Sequence, residues 1–177
     1  MLYQPELIGG HVALDLLNTV SWRLEPSRTV DRIATPEALA TWCAAVGLSG
    51  DSTPERVASV RGTLYDVLVP IARRTGPGDP RELQVLLTRA LGRATPAGVR
   101  PLDWVGADLV DELVLAGGRL LEREDLGRLR ECQDDGCGWL FLDRSKNGSR
   151  RWCSSGDCGN RARAKRHYER VRAGRES

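Results

Sequence analysis

Four cysteines near the C-terminus constrain this chain more than any other feature. Cys132, Cys137, Cys153 and Cys158 form two pairs, with four residues between the members of each pair and fifteen between the pairs. Close pairs at matched spacing are the usual arrangement of thiolate ligands around one metal ion. Disulfides are the competing use, and they need an oxidising compartment. The opening MLYQPELIGG has no basic leader region, and no stretch of about 18 apolar residues occurs anywhere, so the expectation is a cytoplasmic protein without a membrane span. Zinc then fits best. Four thiolates at about 2.3 Å close a tetrahedral site with no position left for a catalytic water, so one structural Zn2+ is the expected cofactor. Cys43, among Ala40, Trp42, Ala44 and Val46, is left over and reads as a buried, inert thiol.

Each half of the cysteine module carries a turn signal, Asp135-Gly136 in the first pair and Gly156 in the second. The linker reads as a hairpin in which residues 139–142 return through Ser145-Lys146-Asn147-Gly148 to residues 150–152, with its aromatics covering the metal. A helix is expected from Cys158 onward, which would place that thiolate at a helix N-terminus, where free N–H groups favour negative charge. Knuckle, hairpin and ligand-bearing helix together make a treble-clef-like unit. It holds too little apolar material to fold without its metal.

The tail is basic. Residues 142–177 carry 11 Lys or Arg against 4 Asp or Glu, while residues 1–141 carry 15 against 20, so the overall +2 hides an acidic body and a cationic end. At 100° per residue Arg163, Arg166 and Arg170 share one ridge, and Ala164, Tyr168 and Val171 lie on another face that would pack against the hairpin. Such a ridge suits phosphate contacts, and a solvated charged helix would read the same way. Arg150, Arg151 and Lys146 are further DNA-contact candidates, although Arg150, Arg151 and Arg161 sit where they would also offset the −2 charge of a four-thiolate zinc site.

The body reads as helical. Proline follows a capping residue at Thr35-Pro36, Thr53-Pro54 and Asp79-Pro80, the last with Glu82 placed for a capping box. Apolar positions recur at helical spacing from Val57 to Ile71, ending at Gly76-Pro77-Gly78, then from Leu83 to Leu91, and again from Leu109 to Leu121. The third helix contains Gly117-Gly118, which costs about 1 kcal/mol per glycine unless close packing offsets it. The expected fold class is mainly α: an all-helical domain over residues 1–126, then the zinc module over 127–177.

In the stretch GGHVALDLLNTVSW, His11, Asp15, Asn18 and Trp22 fall on one face of an otherwise apolar helix. They form either the polar wall of a small-molecule pocket or a stripe of surface and internally satisfied groups. No phosphate-binding loop, Ser/His/Asp triad in its usual local setting, or HExxH helix is present, so the chain is not expected to be an enzyme.

The segments CxxxxC, FLDRS and RRWCSSGDCGNR resemble the CGNR zinc finger family, named for the tetrad that here is Cys158-Gly159-Asn160-Arg161. GGHVALDLLNTV is similar to the start of the ABATE domain, a helical domain that precedes the zinc finger in that family. The resemblance implies zinc at all four cysteines and a role in bacterial transcription regulation. The expected function is a DNA-binding regulator whose zinc finger meets DNA and whose helical domain takes a small effector, with a homodimer as a further state. The alternative is a non-enzymatic, zinc-stapled protein-interaction module.

Overall fold

The computed structural model describes residues 4–99 and 101–173, so the outer limits of both expected domains, 1 and 177, lie outside the described residues. The chain opens with a short helix α1 (Val12–Leu17), capped by His11, whose Nδ1 accepts from the Ala13 N–H. Helix α2 (Pro36–Val46) and helix α3 (Pro54–Arg73) start as their sequences predict, with the Thr35 and Thr53 hydroxyls accepting from backbone N–H groups three residues on. Helix α2 stops at Gly47, whose φ of 72° closes the last turn in the left-handed region. Helix α5 (Leu109–Leu121) is capped by Asp108.

Helix α4 (Arg81–Arg93) begins one step later than its capping box implies. Pro80 occupies the cap position and offers no side-chain acceptor, while Asp79 receives the Arg81 N–H at 3.1 Å and pairs with the Arg81 guanidinium. A carboxylate held by Arg81 in this way cannot reach the N–H three residues on.

The core lies where α1, α3 and α5 meet, around Leu14, Leu17, Leu64, Leu68, Leu113 and Leu120, each at most 1% exposed. The two glycines of α5 make that meeting close. A Cβ on Gly117 would come within 2.3 Å of Leu64 Cδ2, and one on Gly118 within 3.0 Å of Leu87 Cδ2. Close approach of α5 to α3 and α4 is what offsets their poor helix propensity.

The body is not all-helical. It also contains two antiparallel hairpins: β1 (Val20–Ser21) with β2 (Val30–Asp31), and β3 (Thr95–Val99) with β4 (Leu102–Val105). The first is too short to show alternation. The second hides its signal because Thr-Pro-Ala-Gly-Val contains proline and glycine, which are tolerated only because this two-stranded sheet is all edge, and its register shifts between Pro96 and Gly98. Helix still dominates, so the chain is mainly α.

The hairpin of the cysteine module has a different partner from the one its sequence predicts. Strand β6 (Leu140–Leu142) pairs with β5 (Leu129–Glu131), in register Leu129↔Leu142, so the hairpin flanks the first cysteine pair. The expected turn at 145–148 does form, with Gly148 at φ 61° donating to the Ser145 carbonyl. Residues 150–152 are not a strand; Asp143 holds the start of this stretch, accepting from the N–H groups of Ser145 and Arg150. Strand β6 is buried on both sides. Leu140 and Leu142 join the body core, whereas Trp139 and Phe141 join the cysteines. A strand covered on both faces reads as a continuous apolar run, as Trp139-Leu140-Phe141-Leu142 does.

Candidate metal centre and the basic helix

Cys132 follows β5, and its N–H donates to the Trp139 carbonyl at 2.8 Å. Cys137 closes a tight turn in which its N–H meets the Asp134 carbonyl at 3.0 Å, and Gly138 next to it has a φ of 72°, which only glycine adopts without cost. Cys158 is the first residue of helix α6 (Cys158–Ala173), so its sulfur sits at the helix N-terminus.

All four sulfurs lie within 4.8 Å of one another, and none of the four is in a disulfide. Cys137 Sγ is 3.7 Å from Cys153 Sγ, which is 3.4 Å from Cys158 Sγ. A tetrahedron with zinc–sulfur bonds of about 2.3 Å has edges of about 3.8 Å, so the sulfurs are set for one zinc ion. All four side chains are buried, beneath Trp139, Phe141, Ile8 and Trp152. Without a cation they compete for charge: hydrogen bonds from its neighbours drive the Cys132 thiol down, and hydrogen bonding within the cluster drives Cys137 and Cys153 up. A divalent cation is what allows four adjacent thiols to ionise together.

Arginine supports the cluster. Arg161 Nη2 donates to Cys158 Sγ at 2.9 Å, its Nε reaches Asp134 at 3.0 Å, it pairs with Asp157, and its guanidinium stacks 4.5 Å from the Trp22 ring. Arg150 donates to the carbonyls of Trp152 and Cys153 and lies 4.1 Å over the Phe141 ring. Arg151 holds Gln133 at 2.6 Å. Of the three, Arg161 reaches a sulfur directly, while Arg150 and Arg151 hold the backbone and Gln133 beside the cluster.

Only Cys158 and Gly159 of α6 are buried, and from Arg163 to Ala173 the helix is exposed. The face expected to pack on the hairpin therefore does not: Tyr168 is 74% exposed, Val171 41%, and Ala164 is exposed too. Too little chain lies beside the outer turns to cover them. Arg163, Arg166 and Arg170 do come together, lining one shallow groove with Glu169 and Ala173. Arg163 is steadied by the Ser155 carbonyl at 2.9 Å and by Asn160. Lys165 is engaged by Asp135 at 2.8 Å, and Lys146 is exposed on the 145–148 turn.

The four polar residues of the GGHVALDLLNTVSW stretch are not gathered at one place. Helix α1 ends at Leu17, with Asn18 as its C-cap, and Trp22 lies past β1 at a φ of 55°. Asp15 is buried and accepts from the Gly9 N–H at 2.8 Å; burial raises its carboxyl to about 6, against a smaller opposing effect of that bond. Half-buried His11 is pushed below the ordinary imidazole range by burial, then by Arg123, Arg119 and Arg144, which suits its neutral role as a cap acceptor. Asn18 is committed to Leu140, and Trp22 lies between Arg28 and Arg161. Sequence reading missed the duties of Asn18 and Trp22 toward Leu140 and Arg161 because no local pattern announces a partner more than a hundred residues away.

No helix among the described residues is long and apolar enough to cross a membrane. None of the curated proteins matches the chain. The family model for the CGNR zinc finger matches residues 128–171, and the ABATE model, described as "Putative stress-induced transcription regulator", matches residues 10–117. Neither is an enzyme family. With the regulator model covering more than half of its length and the zinc finger following it, the chain belongs to the ABATE family and carries a C-terminal CGNR zinc finger.

Proposed function

We propose that this protein is a transcription regulator that binds DNA through α6, with one zinc ion fixing the helix to the body. The observation that carries the reading is the groove formed by Arg163, Arg166 and Arg170 on an exposed, projecting helix. Asp134, Asp135 and Asp157 are engaged by Arg161 and Lys165, and Glu169 is the one acid in the groove that the three ridge arginines share. Phosphate is the ligand that such a row attracts. Lys146 adds a contact from the turn, and Arg150 and Arg151, engaged at the cluster, enter only at its margin. Residues 127–177 act as the treble-clef-like contact unit and residues 1–126 as the regulatory body, in the cytoplasm of a bacterium. A homodimer supplies the sequence discrimination that one short helix lacks.

The test is fluorescence anisotropy of the zinc-loaded protein on duplex DNA at two salt concentrations. Three phosphate contacts give a slope of log K against log salt of about −2.7, and Glu at positions 163, 166 and 170 removes most of it while zinc content stays unchanged. Exposed Tyr168 and Val171 favour the second reading, a zinc-stapled protein-interaction module. No DNA affinity at low salt, together with loss of a protein partner on Tyr168→Ala, would establish that reading instead.

A further inference from the structure

A recess of about 240 Å3 opens between α3, α4 and α5, and Arg56, Arg89, Arg93 and Asp111 line it. Asp111 is 3% exposed. Its Oδ1 accepts from Arg93 at 2.5 Å, but its Oδ2 is buried and has no partner. A buried carboxylate oxygen without a donor costs about 1–3 kcal/mol, so it marks a place where a donor is missing. The cations around it are under-matched as well. Asp108 meets Arg56 and Arg93 only at 3.4 and 3.3 Å, and Arg89, one turn before Arg93 on α4, has no partner among the described residues. Three guanidinium groups against two carboxylates leave one positive charge in excess.

We propose that this recess binds a small organic anion bearing one carboxylate and one neutral hydroxyl on a short branched hydrocarbon. The carboxylate answers the excess charge at Arg89. The hydroxyl donates to Asp111 Oδ2, and it is neutral because Arg93 already balances the Asp111 charge. The hydrocarbon covers Val60, Leu86, Val110 and Val114, which form the apolar lining. A volume of about 240 Å3 is that of roughly eight waters, room for a five-carbon hydroxy acid. A few polar groups fixed around an apolar lining are the usual make-up of a small-ligand site. Such a ligand would be the effector of the proposed regulator; that role rests on the DNA-binding reading, whereas binding itself does not.

Calorimetry of the zinc-loaded full chain with 2-hydroxy-3-methylbutanoate tests it. Saturable binding of one ligand per chain is expected, with methyl shifts in the NMR spectrum at Val60, Val110 and Val114. The analogue 3-methylbutanoate, which lacks the hydroxyl, should bind at least tenfold more weakly, as should the hydroxy acid to Arg89→Gln. Arg89 is exposed on α4, so that variant keeps the fold and the ligand-free DNA affinity. Tighter binding of L-valine than of the hydroxy acid overturns the proposal, because it requires a cationic donor. Absence of both heat and methyl shifts overturns it too, leaving the recess filled by water. Binding with no effect on DNA affinity would count against the regulator and leave the site standing.

Discussion

Asn18 and Leu140 exchange two hydrogen bonds across 122 residues: Asn18 Nδ2 donates to the Leu140 carbonyl, and the Leu140 N–H donates to Asn18 Oδ1, both at 2.9 Å. A side-chain amide thus mimics a strand at the buried side of β6 and ties α1 to the cysteine hairpin. Asn18→Ala leaves a buried donor and acceptor without partners, and a loss of about 2–3 kcal/mol in urea denaturation is expected. A loss under 0.5 kcal/mol would mean that water replaces the amide there.

Purified protein should contain one zinc per chain, and Cys158→Ser should lose most of it on desalting against a weak chelator. Elemental analysis reads both. Full zinc in the serine variant would remove Cys158 from the ligand set.

Arg161 donates to the Cys158 sulfur and also bridges Trp22 and Asp134. Arg161→Gln should weaken zinc binding about 10- to 100-fold, the usual cost of losing a group that orients a metal ligand. Competition with a chromogenic chelator measures it; an unchanged affinity would reduce Arg161 to a bracket between body and helix.

Asp15 gives a pH signature. Its folded carboxyl titrates near 6 against an ordinary value of 3.8, so the folded state holds the proton more tightly than the unfolded one. The stabilising contribution is complete below about pH 4 and is lost as pH rises through about 6, at a cost of order 2–3 kcal/mol. Asp15→Asn keeps an acceptor for the Gly9 N–H and removes the charge, so it should stabilise the protein at pH 8 and give little advantage at pH 4. Thermal melts at the two pH values decide; an equal shift at both would contradict a buried, titrating carboxylate.

The metal site was legible in the chain because four thiols at matched spacing carry their chemistry locally, and the helix starts at Thr35 and Thr53 because a cap is a four-residue signal. Strand β6 was visible as an apolar run, but its partner was not: Leu129-Arg130-Glu131 shows no strand pattern, and only contact with Leu142 and Phe141 makes it one. The polar residues of the α1 stretch stand out in the sequence as unusual, and Asp15 finds its partner, Gly9, within that stretch. Asn18 and Trp22 take theirs from Leu140 and Arg161, which no local window contains. Tyr168 and Val171 were assigned to a packed face by periodicity alone, and periodicity does not say whether a neighbour is present.

Strand β6 has leucines in the body core on one side and, with Trp139 just before it, Phe141 around the cysteines on the other, so the two halves of the molecule cannot melt separately without exposing a shared strand. Metal binding is therefore linked to the folding of the body as well as of the finger. A ligand held only by the folded state adds about 1.4 kcal/mol for each tenfold rise in its free concentration above the dissociation constant. Zinc supply would thus act as a stability setting for the whole protein: a cell short of the metal would hold less of it folded, and proteases would register the shortage.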